Sequence, residues 1–170
     1  MAKVDRRVIH DGAVYEVACA VRADAVTSPV SEFLDRLKEQ TWRTDAAEAG
    51  LAPDEQVRAH AFLLATIRHF ADTGEFAHWT DRRPLRDGIW EIKRLHLRLS
   101  FYDTDGAGGY TPKYANRLPM AGGGRFEIPE FDEFIRLGTA FGKTGRQTPP
   151  HELALATLIR EEDLAHDRES

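Results

Sequence analysis

From residue 97 the chain alternates without a break: Leu97, Leu99 and Phe101 on one side, Arg98, Ser100 and Tyr102 on the other. A two-residue period is the mark of a strand with one face buried and one polar. Just upstream, Ile89-Trp90-Glu91-Ile92-Lys93 reads as a second strand, and only Arg94 to His96 separate the two. That spacing predicts a hairpin, although the turn lacks the glycine or asparagine that such turns favour. A hairpin with one apolar face must be covered, so the rest of the chain has to supply the cover.

Two helices are legible. Thr27-Ser28-Pro29 offers a cap followed by proline at the first helical position, and Val30, Phe33, Leu34 and Leu37 then fall three and four apart. Pro53-Asp54-Glu55 opens the second, with acids where the helix dipole favours them. Its apolar row is Leu63, Leu64, Ile67, Phe70 and Ala71, led in by Val57 and Ala61, and Gly74 is the stop. Residues Val14 to Val21 alternate as another strand, and Ile135 to Phe141 as a further one. Thr148-Pro149 repeats the cap-plus-proline signature before a last helix with Leu155, Leu158 and Ile159 inward and an acidic end. Thr41 to Ala52 reads as a loop and Glu75 to Asp87 as an irregular, arginine-rich connection. Asp103 to Pro129, rich in glycine and proline, reads as an inserted loop. The expected fold is α+β: one domain over residues 1–170, a small twisted antiparallel sheet with two helices packed on one face, the polar residues of the hairpin on its open face, and an insertion at 103–130.

Charge narrows the function. The 170 residues carry a formal net charge of −5, which alone argues against a general nucleic-acid binder. The distribution is uneven. Between Arg82 and Arg98 six cations meet two acids, a local net of +4, whereas the tail from His151 to Ser170 carries −4. Screening confines surface charge effects to about 8–10 Å, so a basic stripe on an acidic chain can still hold phosphates. The single cysteine, Cys19, excludes an intramolecular disulfide and a thiolate zinc cluster. No stretch approaches a membrane span and the first residues lack a signal-peptide apolar region, so the expected compartment is the cytoplasm. Asp103-Thr104-Asp105-Gly106 lacks the later ligands of a calcium loop, and Gly122-Gly123-Gly124-Arg125 lacks the Lys-Ser/Thr pair of a phosphate loop.

Several stretches, in order, resemble the RelE/HigB-like toxin superfamily, in its phage-derived HigB-like branch. They are Tyr15-Glu16-Val17, then Ser28 to Leu34, then Leu85-Arg86-Asp87-Gly88-Ile89-Trp90-Glu91-Ile92-Lys93. Leu97-Arg98-Leu99-Ser100-Phe101-Tyr102 follows, and the series closes with Ala140-Phe141-Gly142-Lys143-Thr144 and Gln147-Thr148-Pro149. The resemblance implies a type II toxin that cleaves messenger RNA, usually in the ribosomal decoding site, and is neutralised by a cognate antitoxin of helix-turn-helix type. It implies cleavage by the RNA's own 2′-hydroxyl, with no metal and no cofactor. It also implies a phosphate-stabilising arginine at Arg98.

Around that arginine the expected catalytic set is Lys93, His96, Arg98, Tyr102 and Lys143, with Arg82, Arg83, Arg86, Arg94 and Arg146 as RNA-binding cations. Cations aimed at the developing charge are what phosphoryl transesterification needs. His96 is the only histidine in the basic stripe and imidazole titrates near working pH, so His96 or Tyr102 is the candidate to move protons, with His151 a further one. Each has a plain structural counterpart: strand-edge cations deter edge pairing, Tyr102 packs, and His96 is a turn residue. If the strands bearing Lys93, Arg98 and Lys143 are neighbours, the cations converge. Two other functions fit the same residues: a ParE-like inhibitor of DNA gyrase, and a non-catalytic phage or accessory binding protein.

Overall fold

The computed structural model describes residues 3–44, 50–117, 126–143 and 147–169. In chain order the elements are β1 (Val8–Asp11), β2 (Glu16–Cys19), α1 (Pro29–Lys38), α2 (Pro53–Thr73), β3 (Arg82–Pro84), β4 (Trp90–Arg94), β5 (Leu97–Thr104), β6 (Asn116–Arg117), β7 (Phe126–Glu127), β8 (Phe134–Gly142) and α3 (Pro150–Glu169). The fold is α+β. Six strands form an open sheet in the order β1-β2-β8-β5-β4-β3, antiparallel except where β2 runs parallel to β8.

The hairpin forms as the alternation requires. Lys93 stands opposite Arg98 and Arg94 opposite Leu97, leaving Leu95 and His96 as the whole turn. Leu95 adopts a φ of 52°, a conformation usually left to glycine or asparagine, and this is why the turn carries no recognisable signal. Leu97, Leu99 and Phe101 are buried with Trp90 and Ile92 against Leu34, Leu63, Ile67 and Phe70 of α1 and α2. Each such side chain contributes about 1.5–3 kcal/mol on leaving water, so this face drives folding. Gly74 ends α2 at a φ of 76°, as its position predicts.

Several differences from expectation follow. The arginine-rich connection contains a strand: β3 pairs with β4 at the sheet edge, where Pro84 is tolerated because no further strand needs its missing N–H. At the other edge β1 forms from Val8-Ile9-His10-Asp11, four residues with no alternation to announce them. In α2, Val57 is exposed and the lead-in to the buried row is Gln56 and Ala59 instead. The largest correction concerns the polar face of the hairpin, which is not open: α1 and α2 cover the apolar face as expected, and α3 covers the other. Ile159 and Leu164 of α3 pack with Ala20 and Tyr102 in a second core on the opposite side of the sheet.

The reason lies in the inward row of α3. Ile159 is inward and Leu155 packs partly buried beside it, as expected, but Leu158 is 48% exposed. The buried positions are Ala156, Ile159, Arg160, Asp163, Leu164 and Asp167, so acids lie among the residues facing the protein. The Asp163 carboxylate accepts hydrogen bonds from Arg6 Nε (2.9 Å), the Val21 amide (2.8 Å) and the Tyr102 hydroxyl (2.5 Å). Asp167 takes Arg6 Nη1 at 2.9 Å. Partners this far apart in sequence leave no periodic trace.

The capping hydroxyls also differ from expectation. Ser28 is the N-cap of α1 by position, yet its Oγ donates to the Ala20 carbonyl rather than to the helix. Thr148 lies two residues before α3, and its Oγ1 donates to Glu91 Oε2 at 3.3 Å. At the start of the expected insertion, Asp103 and Thr104 are buried residues of β5, with Asp103 paired to Lys113 Nζ at 2.9 Å. The glycine run 122–124 and Arg125 lie outside the described residues.

Candidate functional site

Three adjacent strands assemble a cluster of cations on the α3 side of the sheet, at its hairpin end. Cross-strand partners share a face, so Arg83, opposite Glu91, and Lys93, opposite Arg98, all project to one side. Lys143 joins them through an irregularity. Leu99 pairs with Ala140 but Phe101 with Leu137, so β8 carries one residue more than β5 in this interval. This β-bulge is held by Ser100, whose Oγ accepts the Thr139 amide (2.9 Å) and lies 2.7 Å from Thr139 Oγ1. A bulge resets the two-residue phase. Before it, the odd-numbered Ile135 and Leu137 face the α1–α2 core; after it, Phe141 pairs with Arg98 and Lys143 follows on the same side. The Lys143 amide donates to the His96 carbonyl at 2.7 Å, fixing the end of β8 to the hairpin turn.

Glu91 sits amid these cations with no solvent exposure. Its Oε1 is 3.7 Å from Arg98 Nε, close enough to attract but beyond hydrogen-bond length. Neither of those two buried atoms has a hydrogen-bond partner, whereas Arg98 Nη1 donates to the carbonyls of Leu95 (2.7 Å) and Leu97 (2.8 Å). Burial pulls the Lys93 ammonium below the ordinary lysine pKa, and Arg98 adds to the depression. Lys143 is lowered by burial and by Arg83, Arg98 and Lys93, against the opposing pull of Glu91. Burial likewise lowers Arg98, opposed by Glu91. Among the described residues four cations surround one buried carboxylate, with Asp81 also acting on Lys93, an arrangement suited to an oxyanion.

The convergence expected of Lys93, Arg98 and Lys143 is therefore present, and Arg83 completes it. The other expected residues lie elsewhere. Tyr102 does not face an open surface: it is 1% exposed beneath α3, and burial together with Asp163 holds its hydroxyl well above the ordinary tyrosine pKa. Arg94 points to the opposite side of the hairpin, its guanidinium 3.9 Å above the Phe62 ring. Arg82 is also on that side, donating to the carbonyls of Trp79 and, at 2.6 Å, Phe126. Arg86 and the His96 side chain are exposed. His151 stands in solvent in the first turn of α3, 3.3 Å from Glu152. Arg146 lies outside the described residues.

Glu91 and Thr148 are the members that sequence reasoning missed. Glu91 was legible, since it shares the alternation phase of Lys93; Thr148 was hidden by its resemblance to a helix cap. Among the described residues, no three His, Cys, Asp or Glu side chains are grouped to hold a metal, and no helix is long and apolar enough to cross a membrane. No protein-family model, curated protein or solved structure matches the chain.

Proposed function

We propose that the chain is the toxin of a type II toxin–antitoxin pair, an endoribonuclease that holds a scissile phosphate on Lys93, Arg98, Lys143 and Arg83. The observation that carries the reading is the cation cluster itself: cations of β3, β4 and β5, Lys143 brought in by a phase-resetting bulge in β8, and a buried carboxylate come together at one place. The ordered series of RelE/HigB-like stretches supports it independently. In this reading the 2′-hydroxyl attacks the adjacent phosphorus, the 5′-oxygen leaves, and the cations stabilise the extra negative charge as it develops. His96, exposed at the turn whose carbonyl binds the Lys143 amide, is the proton-transfer group nearest the cluster in the chain. A helix-turn-helix antitoxin is the proposed neutralising partner, messenger RNA the substrate, and the ribosome the setting.

Induction in a bacterial host tests this. Growth should arrest with transcript cleavage, and Arg98→Ala combined with Lys143→Ala should abolish both. Intact transcripts and unaffected growth on expression of the unaltered chain would refute it. The burial of Tyr102 and the exposure of His96 favour a second reading, in which the cluster binds an anionic partner without turnover, as a ParE-like gyrase inhibitor or an accessory binding protein. Inhibition of DNA supercoiling without RNA cleavage is its signature.

A further inference from the structure

Arg82 and Arg83 are consecutive residues of an edge strand and so face opposite sides of the sheet. Arg83 joins the cation cluster. Arg82 lines a cleft of about 440 Å³ on the other side, together with Glu75, Phe76, His78, Trp79 and Glu127. The volume is in the range of small-molecule sites. The lining has a definite chemistry. Trp79 is 46% exposed on a one-turn 3₁₀ segment directly before β3, a large aromatic left in solvent. Phe76, stacked on Phe70 with ring centroids 4.5 Å apart, gives the cleft a rigid aromatic wall. The Arg82 guanidinium is anchored by the Trp79 and Phe126 carbonyls, so it is held as a planar surface rather than a mobile charge. Two carboxylates, Glu75 and Glu127, line the same cleft. They repel a phosphate and accept hydrogen bonds from N–H groups.

We propose that this cleft is a nucleobase subsite, selective for a base rich in N–H donors, guanine above all. Aromatic and arginine planes stack on unpaired bases, and carboxylates accept from a Watson–Crick edge that carries donors. Guanine presents N1–H and the N2 amino group there, whereas uracil presents a single N3–H. The inference rests on the nuclease reading for its setting: an RNA strand crossing the β3 edge would leave a phosphate at Arg83 and a neighbouring base at Arg82. The base site itself needs no phosphate.

The chain supplies its own reporter, because Trp42 and Trp90 are buried and Trp79 is the exposed tryptophan. Titrating guanosine, uridine and inorganic phosphate against tryptophan emission tests the subsite. Guanosine should quench the emission and bind roughly tenfold more tightly than uridine, a discrimination in keeping with one paired hydrogen-bond contact. Trp79→Phe should remove the signal, Glu127→Gln should narrow the guanosine–uridine gap, and Arg98→Ala with Lys143→Ala should leave guanosine quenching intact. Absence of guanosine quenching, equal response to both nucleosides, or a gap that survives loss of both carboxylates would overturn the proposal. Thermal stabilisation by inorganic phosphate that depends on Arg98 and Lys143 reports the cluster separately. Its absence with guanosine quenching intact would refute the phosphate site and leave the base subsite standing.

Discussion

The α3 side of the sheet carries two buried ionic groups that differ in how their charges are matched. Beneath the middle and end of α3, Asp163 and Asp167 receive Arg6, the Val21 amide and the Tyr102 hydroxyl at 2.5–2.9 Å. Acids and donors meet there at hydrogen-bond distance, tying the N-terminal segment, β5 and α3 together. At the hairpin end, Arg83, Lys93, Arg98 and Lys143 share Glu91, and its closest approach to Arg98 is 3.7 Å. The first group is built to hold the fold; the second gathers Arg83, Lys93, Arg98 and Lys143 around one carboxylate, an arrangement that an anion would stabilise. Charge balance therefore separates a structural network from a candidate binding site where burial and residue type do not.

Substitutions in the two groups should act in opposite ways. Asp163→Ala should cost about 3–5 kcal/mol, since it strips Arg6 of one of its two carboxylates and leaves Arg6 Nε, the Val21 amide and the Tyr102 hydroxyl without that partner. Urea denaturation measures the loss; a change below 1 kcal/mol would show that the network is not structural. Lys143→Met should behave in the opposite way. Removing one of several like charges should leave stability unchanged or slightly raised, while RNA cleavage falls by roughly 10²–10³. A Lys143→Met protein that unfolds yet cleaves normally when folded would reverse the assignment. Glu91→Gln keeps the shape and the Thr148 contact but removes the one central negative charge. It should destabilise the protein by about 1–3 kcal/mol and increase the thermal stabilisation gained from inorganic phosphate; no change in that gain would detach Glu91 from the cluster.

Alkaline titration sharpens the same contrast. Burial and Asp163 keep the Tyr102 proton on in the folded protein after the unfolded chain has lost it. Its contribution is thus full below the ordinary tyrosine pKa and is lost as pH rises above it. Lys93 and Lys143 are lowered instead, so over the alkaline range the unfolded chain binds more protons at these positions. Stability from the cluster should rise as pH climbs through their lowered values toward the ordinary lysine value. Subtracting the stability–pH curves of Tyr102→Phe and Lys143→Met from that of the unaltered protein should give slopes of opposite sign. The smallest effect belongs to Arg94→Leu. Loss of the contact over Phe62 should cost about 0.5–1 kcal/mol and leave RNA cleavage unchanged, which calorimetry and a cleavage assay together would check.

Elements with strong local signals are legible in the residues alone. Val30, Phe33, Leu34 and Leu37 could bury together only on a helix, Gly74 stopped α2, and the alternation from Trp90 to Tyr102 placed Lys93 and Arg98 on one side of a hairpin. The sequence also marks three of the four cations of the candidate cluster for catalysis, and Arg83 as an RNA-binding cation. What each side of the sheet meets follows from packing between distant segments. Alternation separates two faces but does not say which is covered, so Tyr102 read as open lies under α3, and the acids of that helix face inward to an arginine 157 residues away in the chain. The position of Lys143 was likewise beyond local reading. A strand's phase holds only until a bulge shifts it, and this bulge depends on Ser100 meeting Thr139 across two strands, a contact set by packing rather than by the neighbours of either residue.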